Sequence, residues 1–382
     1  MKNEMKFPLI VRMTFILLFL LISYYMLTEF KNYLAPLTLG VLFAYLLFPM
    51  ANFFESYRVP RILSNILSII IGLSVIYGIA FIFYKQFGVF LEDIPILRER
   101  ASNNIKTIFN TIESFFGIET GEMKPKVHEF VNDLLNSSSQ DYKSTFGATF
   151  HTLFTIFIMP VYIFFLLFYR DKFKEVILML VPSNRHPVAD RIITDINQLT
   201  VRYMTGIFIV VSILVVLNSL GFLIIGLDHA ILLGFIAAIL NFIPYYGTII
   251  GYAVPLLFSV FIMDSPVYAV FVLMQFVVIQ FTENNILTPN IVGSKVNINP
   301  FMIILAITLG GFVWGLTGMF IAVPLVAGLR VLGDNIDELA PLGYLLGKGG
   351  TEQHSVSITR FARYFKLSEI KARRALRRMR KK

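Results

Sequence analysis

Residues 232–257 read LLGFIAAILNFIPYYGTIIGYAVPLL, and residues 301–326 read FMIILAITLGGFVWGLTGMFIAVPLV. Each stretch is an apolar arm, a break rich in glycine or proline, and a second apolar arm that carries Ala-Val-Pro. With its flanks, either copy would reach about 50 Å as one uninterrupted helix, well beyond the roughly 30 Å of a bilayer core. The arms must therefore break or fold back. Broken hydrophobic segments in matching positions of two halves point to a substrate path in a secondary transporter. The copies differ by one inserted residue, since eight positions separate Gly247 from Pro255 and nine separate Gly315 from Pro324.

Composition agrees with a lipid solvent. Of 382 residues, 56% are hydrophobic, 38 are Phe and only 15% are charged, which is more apolar surface than a soluble core of this size needs. The sequence predicts an all-α, polytopic helical membrane protein of about eight hydrophobic segments, two of them broken segments or re-entrant hairpins that form an inverted repeat. With no cysteine, the chain has no disulfide, thiolate metal site or Cys nucleophile. The formal charge of +9 resides in the tail: Arg360 to Lys382 holds 11 basic residues and one acid, Glu369, leaving 22 basic and 23 acidic residues elsewhere. Arg373, Arg374, Arg377 and Arg378 are its candidate contacts to anionic lipid, and the other reading is a solvated cytoplasmic end that helps fix topology. Nucleic acid is the less favoured partner for this basic tail.

Lys2, Lys6 and Arg12 precede an apolar run from Met13 to Leu27 with no small-residue cleavage site after it, so an uncleaved span is expected. Further spans are expected at about 34–54, 62–84, 148–169, 203–225 and 267–286. Placing Lys2, Lys6, Arg12, Arg58 and Arg61 in the cytoplasm satisfies the positive-inside bias, with both termini cytoplasmic in an inner or plasma membrane. Five regions follow: a three-helix membrane region at 1–84; an extracytoplasmic amphipathic helical segment at 85–147; a fourth span with a cytoplasmic interfacial helix at 148–202; a transport core at 203–341; and the basic tail at 342–382. In the second region Ile94, Leu97, Ala101, Ile105, Ile108, Ile112 and Phe115 recur at helical spacing, which predicts a helix resting on the membrane or on a neighbouring subunit. The doubled segments allow two topologies, opposed re-entrant hairpins or eight crossings. The hairpins are favoured because they put Lys295 inside and Asp264 outside.

Unwound backbone in hydrocarbon survives only where it is buried or lines a cavity. NFIPYYG and GGFVWG are such places, and Asn241, Pro244, Gly247, Gly311 and Gly315 are the pathway candidates they contain. Gly247 with Gly251, and Gly311 with Gly315, are also G-x-x-x-G pairs that would serve helix packing equally well. Trp314 would anchor at an interface or stack on a ligand. The other polar concentration is Gln275, Gln280, Glu283, Asn284 and Asn285, of which Gln280, Glu283 and Asn285 are candidate substrate or ion contacts. An intramembrane carboxylate is expensive unless it binds a cation, carries a proton or meets a partner. Pairing of Glu283 with Lys295 is the structural alternative. No P-loop, H-E-x-x-H, G-x-S-x-G or dinucleotide fingerprint occurs, so neither an enzyme nor a bound cofactor or metal is expected.

From Thr282 to Leu332 the chain resembles the autoinducer-2 exporter family of bacterial permeases. The residues that carry the likeness are Gln280, Glu283, Asn285, Pro289, Gly293, Pro300, Gly311, Gly315, Gly318 and Pro324, together with Asn241, Pro244 and Gly247 in the earlier copy. Asn299 stands where the family pattern has His, so the titratable group is missing there. The resemblance implies a multi-pass transporter that forms a homo-oligomer, with autoinducer-2 the export substrate of one member and sodium/proton antiport suggested for others. Three functions are then in play: export of a small polar metabolite, monovalent cation/proton antiport, and a non-transporting scaffold in envelope assembly or sporulation. A scaffold would need the outer helices and the tail but not the breaks.

Overall fold

The computed structural model describes residues 8–117, 125, 127, 129, 150–293 and 298–349. Most of the expected helix after residue 117, Lys295, and the tail with Arg373, Arg374, Arg377 and Arg378 lie outside the described residues. The described chain is helical, and the β-type pairing within it is one bridge between Ile298 and Gly347. Helices α1 (Leu9–Glu29), α2 (Lys31–Ser56) and α3 (Arg61–Phe116) come first, then α4 (Phe150–Phe168), the short α5 (Arg170–Met179) and the long α6 (His186–Ile225). Five described helices are long and apolar enough to cross a membrane: α2, α3, α6, the run Val267–Ile291, and the helix Leu316–Asn335.

Two expected boundaries fall inside uninterrupted helices. Helix α3 runs through Tyr84 for 56 residues, which is about 84 Å. The expected interfacial helix and fifth span are likewise one helix, α6, of 40 residues. Nothing at either junction breaks a helix, because apolar and polar stretches share one backbone register. The far half of α3 also rests on a different surface from the one expected. Ile94, Leu97, Ala101, Ile105 and Phe109 are buried against Phe222, Leu227, Ala230 and Leu233 of the same chain, while Ile112 and Phe115 are exposed.

Both doubled segments fold back. The first forms α7 (Ala230–Leu240) and α8 (Tyr246–Phe261), and the second forms α11 (Pro300–Trp314) and α12 (Leu316–Asn335). At about 1.5 Å per residue the 11 residues of α7 reach about 17 Å, half a bilayer core. Glycine lets the arms touch: a Cβ on Gly247 would strike the Leu240 carbonyl, one on Gly251 would lie 2.7 Å from the Ala237 carbonyl, and Gly310 faces Gly318 across the second hairpin. The G-x-x-x-G glycines of the first copy thus serve packing within a hairpin. In the second copy the break is narrower than GGFVWG suggests. Gly310 and Gly311 are helical, and the turn is made at Gly315 (φ 60°, ψ −137°), a conformation that requires glycine.

Between the hairpins lies α9 (Val267–Thr282), continued by a π-helical turn, Glu283–Leu287, and by α10 (Thr288–Ile291). This run is antiparallel to α6, with Gln275 against Gly221 and Val292 against Gly206. The two hairpins approach α6 from opposite ends. Leu227 and Ala230, at the base of the first, pack near Phe222, whereas Ile298 and Ala327, at the base of the second, pack near Leu199. Helix α13 (Ala340–Leu346) closes that second base, where Asn299 N–H donates to the Leu346 carbonyl at 2.8 Å.

Candidate transport site

The first tip meets the arms of the second hairpin beside the middle of α6. Ile243 at the first tip shares a cluster with Met204, Ile207 and Val211 of α6 and with Ile307, Ala322 and Val323 of the second hairpin. Phe242 and Phe320 meet edge to face at 5.6 Å, and the Tyr246 hydroxyl lies 3.0 Å from Thr308 Oγ1. The first tip is strained. Tyr245 adopts φ 65°, ψ −63°, and Tyr246 N–H donates to the Pro244 carbonyl at 2.8 Å, a γ-turn of the rare hand. A bulky residue held there costs on the order of 1–3 kcal/mol and persists only where its surroundings enforce it. Pro244 and the close approach of Gly247 to Leu240 are what enforce it here.

Asn241 ends α7 and is buried, with its Oδ1 accepting from Thr248 Oγ1 at 2.5 Å. Ala238 and Ile279 pack together on Val210 and Leu214. One turn beyond them, the Asn241 side chain faces the carboxylate of Glu283. Because the helical run continues to Ile291, Glu283 lies eight residues, or roughly 12 Å, from its end. Gln280, one turn earlier, keeps a buried Oε1 with no hydrogen-bond partner among the described residues. Asn285 does not join them: it is exposed, and its Nδ2 donates to the Phe281 carbonyl at 2.8 Å. The π-turn that starts at Glu283 rotates it away. Such turns recur at functional sites in helices.

Beneath this junction lies a polar layer that the sequence reading passed over. The Tyr252 hydroxyl donates to Asn218 Oδ1, and Gln275 Nε2 donates to the Asn218 carbonyl at 3.1 Å. Asn218 is 1% exposed. An Asn inside the apolar run VVLNSLGF was the available signal, since a buried amide in a span needs partners. Gly311 and Gly315 lie in the second hairpin, away from the carboxylate: Gly311 is packed against Met319 and Gly315 is conformational. Trp314 Nε1 donates to the Leu27 carbonyl at the end of α1, at 2.8 Å, which ties the second tip to the first helix. Among the described residues no cluster of His and acids has metal-binding geometry.

The arrangement is a carboxylate, an amide, a hydroxyl and an unpartnered amide oxygen gathered where a hairpin tip meets an interrupted helix. A protein of Bacillus subtilis named as a candidate transport protein, YrrI, is 28% identical over 309 residues, covering 79% of this chain and 86% of its own. The candidate permease PerM of Escherichia coli K12 is 24% identical over 79% of this chain and 87% of its own, and the AI-2 transport protein TqsA of the same strain is 24% identical over 78% and 84%. The model of the AI-2E family transporters matches residues 13–337, from the first helix to the end of the second hairpin, and the chain belongs to that family of membrane permeases.

Proposed function

We propose that this protein is a secondary transporter that exports a small polar metabolite across the cell membrane, coupled to a proton or sodium gradient at Glu283. The observation that carries the reading is the meeting of Glu283 with Asn241 at the first hairpin tip. A carboxylate in a span is retained for a cation, a proton or a partner, and among the described residues the group beside this one is the neutral amide of Asn241. The hairpins re-enter the membrane from opposite faces and act as gates, the π-turn supplying a place where the span can change register. Polar groups for a small substrate come from Asn241, Thr248 and Gln280.

A second reading, monovalent cation/proton antiport, draws on one further observation. The buried, unpartnered Oε1 of Gln280 sits one turn from Glu283, and a carboxylate with neutral oxygens suits a hard cation. Reconstitution of the full chain in proteoliposomes, with sodium and pH gradients imposed separately, separates the two. Cation exchange without any added metabolite supports antiport. Metabolite movement that stops when both gradients are collapsed supports coupled export.

A further inference from the structure

Away from the hairpins, a cavity of about 300 Å³ opens between α2, the α4–α5 turn and α6. Ala44, Phe48, Leu167, Ile177 and Val201 give it apolar walls, and Arg170 and Lys174 stand at one end. The Arg170 guanidinium lies 5.2 Å from the centre of the Phe48 ring, and its Nη2 donates to Glu55 Oε2 at 2.5 Å. Its Nη1 is buried and, among the described residues, has no hydrogen-bond partner. A buried charged donor without an acceptor is costly, so an acceptor from outside the chain is called for.

The neighbouring charges leave that donor open. Lys174 pairs with Asp190 at 2.6 Å and Asp171 with Arg61 at 2.7 Å, while Glu55 Oε1, itself without a hydrogen bond, lies 3.8 Å from Arg61 Nε. Tyr45 is engaged with Asn197, at 2.7 Å. An acceptor carried by a ligand that also fits the apolar slot would satisfy the Arg170 end of the cavity. Helix α5 beside the cavity indicates the medium, because it exposes Phe173, Val176, Met179 and Leu180 next to Lys172 and Lys174. A short helix of that kind suits the boundary between headgroups and acyl chains, and basic pockets between spans at that depth take lipid headgroups.

We propose that this cavity binds one anionic phospholipid, with its phosphate at the end lined by Arg170 and Lys174 and the start of an acyl chain along Ala44, Phe48 and Val201. The test is native mass spectrometry of the delipidated full chain titrated with dioctanoyl phosphatidylglycerol. One lipid per chain should survive activation that strips the others. Ala44→Phe fills the slot while keeping every charge, and Arg170→Gln removes the donor; each should lower that retention tenfold or more. Inorganic phosphate in millimolar excess should not displace the lipid. Wild-type retention in an Ala44→Phe protein with unchanged circular dichroism and elution volume overturns the proposal, as does full displacement by phosphate, which would mark a bare anion site. Should Ala44→Phe not fold, Val201→Phe fills the slot from the opposite wall and is judged by the same readings.

Discussion

The carboxylate of Glu283 and the side chain of Asn241 face one another where the tip of one helical hairpin meets an interrupted helix. Glu283→Gln keeps the shape and the hydrogen bonding but removes the charge. Gradient-driven transport in proteoliposomes should fall at least tenfold, equivalent to about 1.4 kcal/mol of lost coupling, with normal expression and elution. Wild-type rates with unchanged sodium and pH dependence would reduce the acid to a structural partner.

The hairpins depend on glycines that admit a second backbone. Gly247→Ala puts a methyl group onto the Leu240 carbonyl and should cost about 1–3 kcal/mol through overpacking. Gly315→Ala meets no atom but is held at φ 60°, ψ −137°, so a similar loss of about 1–3 kcal/mol would come from strain alone. Gly328→Ala, helical and with open space around it, should be neutral or slightly stabilising. Thermal unfolding in detergent ranks the three, and equal midpoints for all would remove the close-approach argument.

His229, in the turn between α6 and α7, should make the base of the first hairpin sensitive to acid. Its side chain is 7% exposed, with Asp93 Oδ2 3.4 Å from Nε2 and the Phe90 and Phe258 rings edge-on at 5.3 and 6.0 Å. Burial pushes its pKa down, opposed by Asp93 and Asp228. A His held below its unfolded value of about 6.5 contributes stability that is complete above that pH and is lost as pH falls through the folded pKa. Acidification from about pH 7.5 to 5.5 should therefore lower the unfolding midpoint, and His229→Gln should flatten that dependence. A variant with the wild-type slope would assign the acid sensitivity to other groups.

Opposed hairpins place their bases on opposite faces of the membrane. The chain lacks cysteine, so Asp264→Cys and Asp337→Cys, both exposed, report on the two bases without further changes. An impermeant maleimide applied to intact cells should label the first and miss the second. Labelling of both, or of Asp337→Cys alone, would reject opposed re-entry with a cytoplasmic tail.

The solvent, the helical class, the two broken segments and the acid to watch are all legible in the residues. These follow from local properties: apolar run length against bilayer thickness, the missing donor of Pro244, the freedom of Gly315, and the expense of one carboxylate in a span. The sequence also picked out Asn241 and Glu283, since a polar residue in a hydrophobic run is conspicuous wherever its partner lies. Their meeting was not legible, because it depends on Ala238 and Ile279 sharing the same patch of α6, a coincidence of packing between segments far apart in sequence. The same limit hid the Tyr252–Asn218 layer, and it put the far half of α3 on the first hairpin rather than on lipid or another subunit. Tertiary structure alone decided that the second break is the single residue Gly315, because only the contact of Gly310 with Gly318 shows that the flanking glycines serve close approach within intact helices. It decided the rotation of Asn285 away from Glu283 as well, since an α-helix and a π-turn write the same polar spacing and differ only in which carbonyls their amides reach.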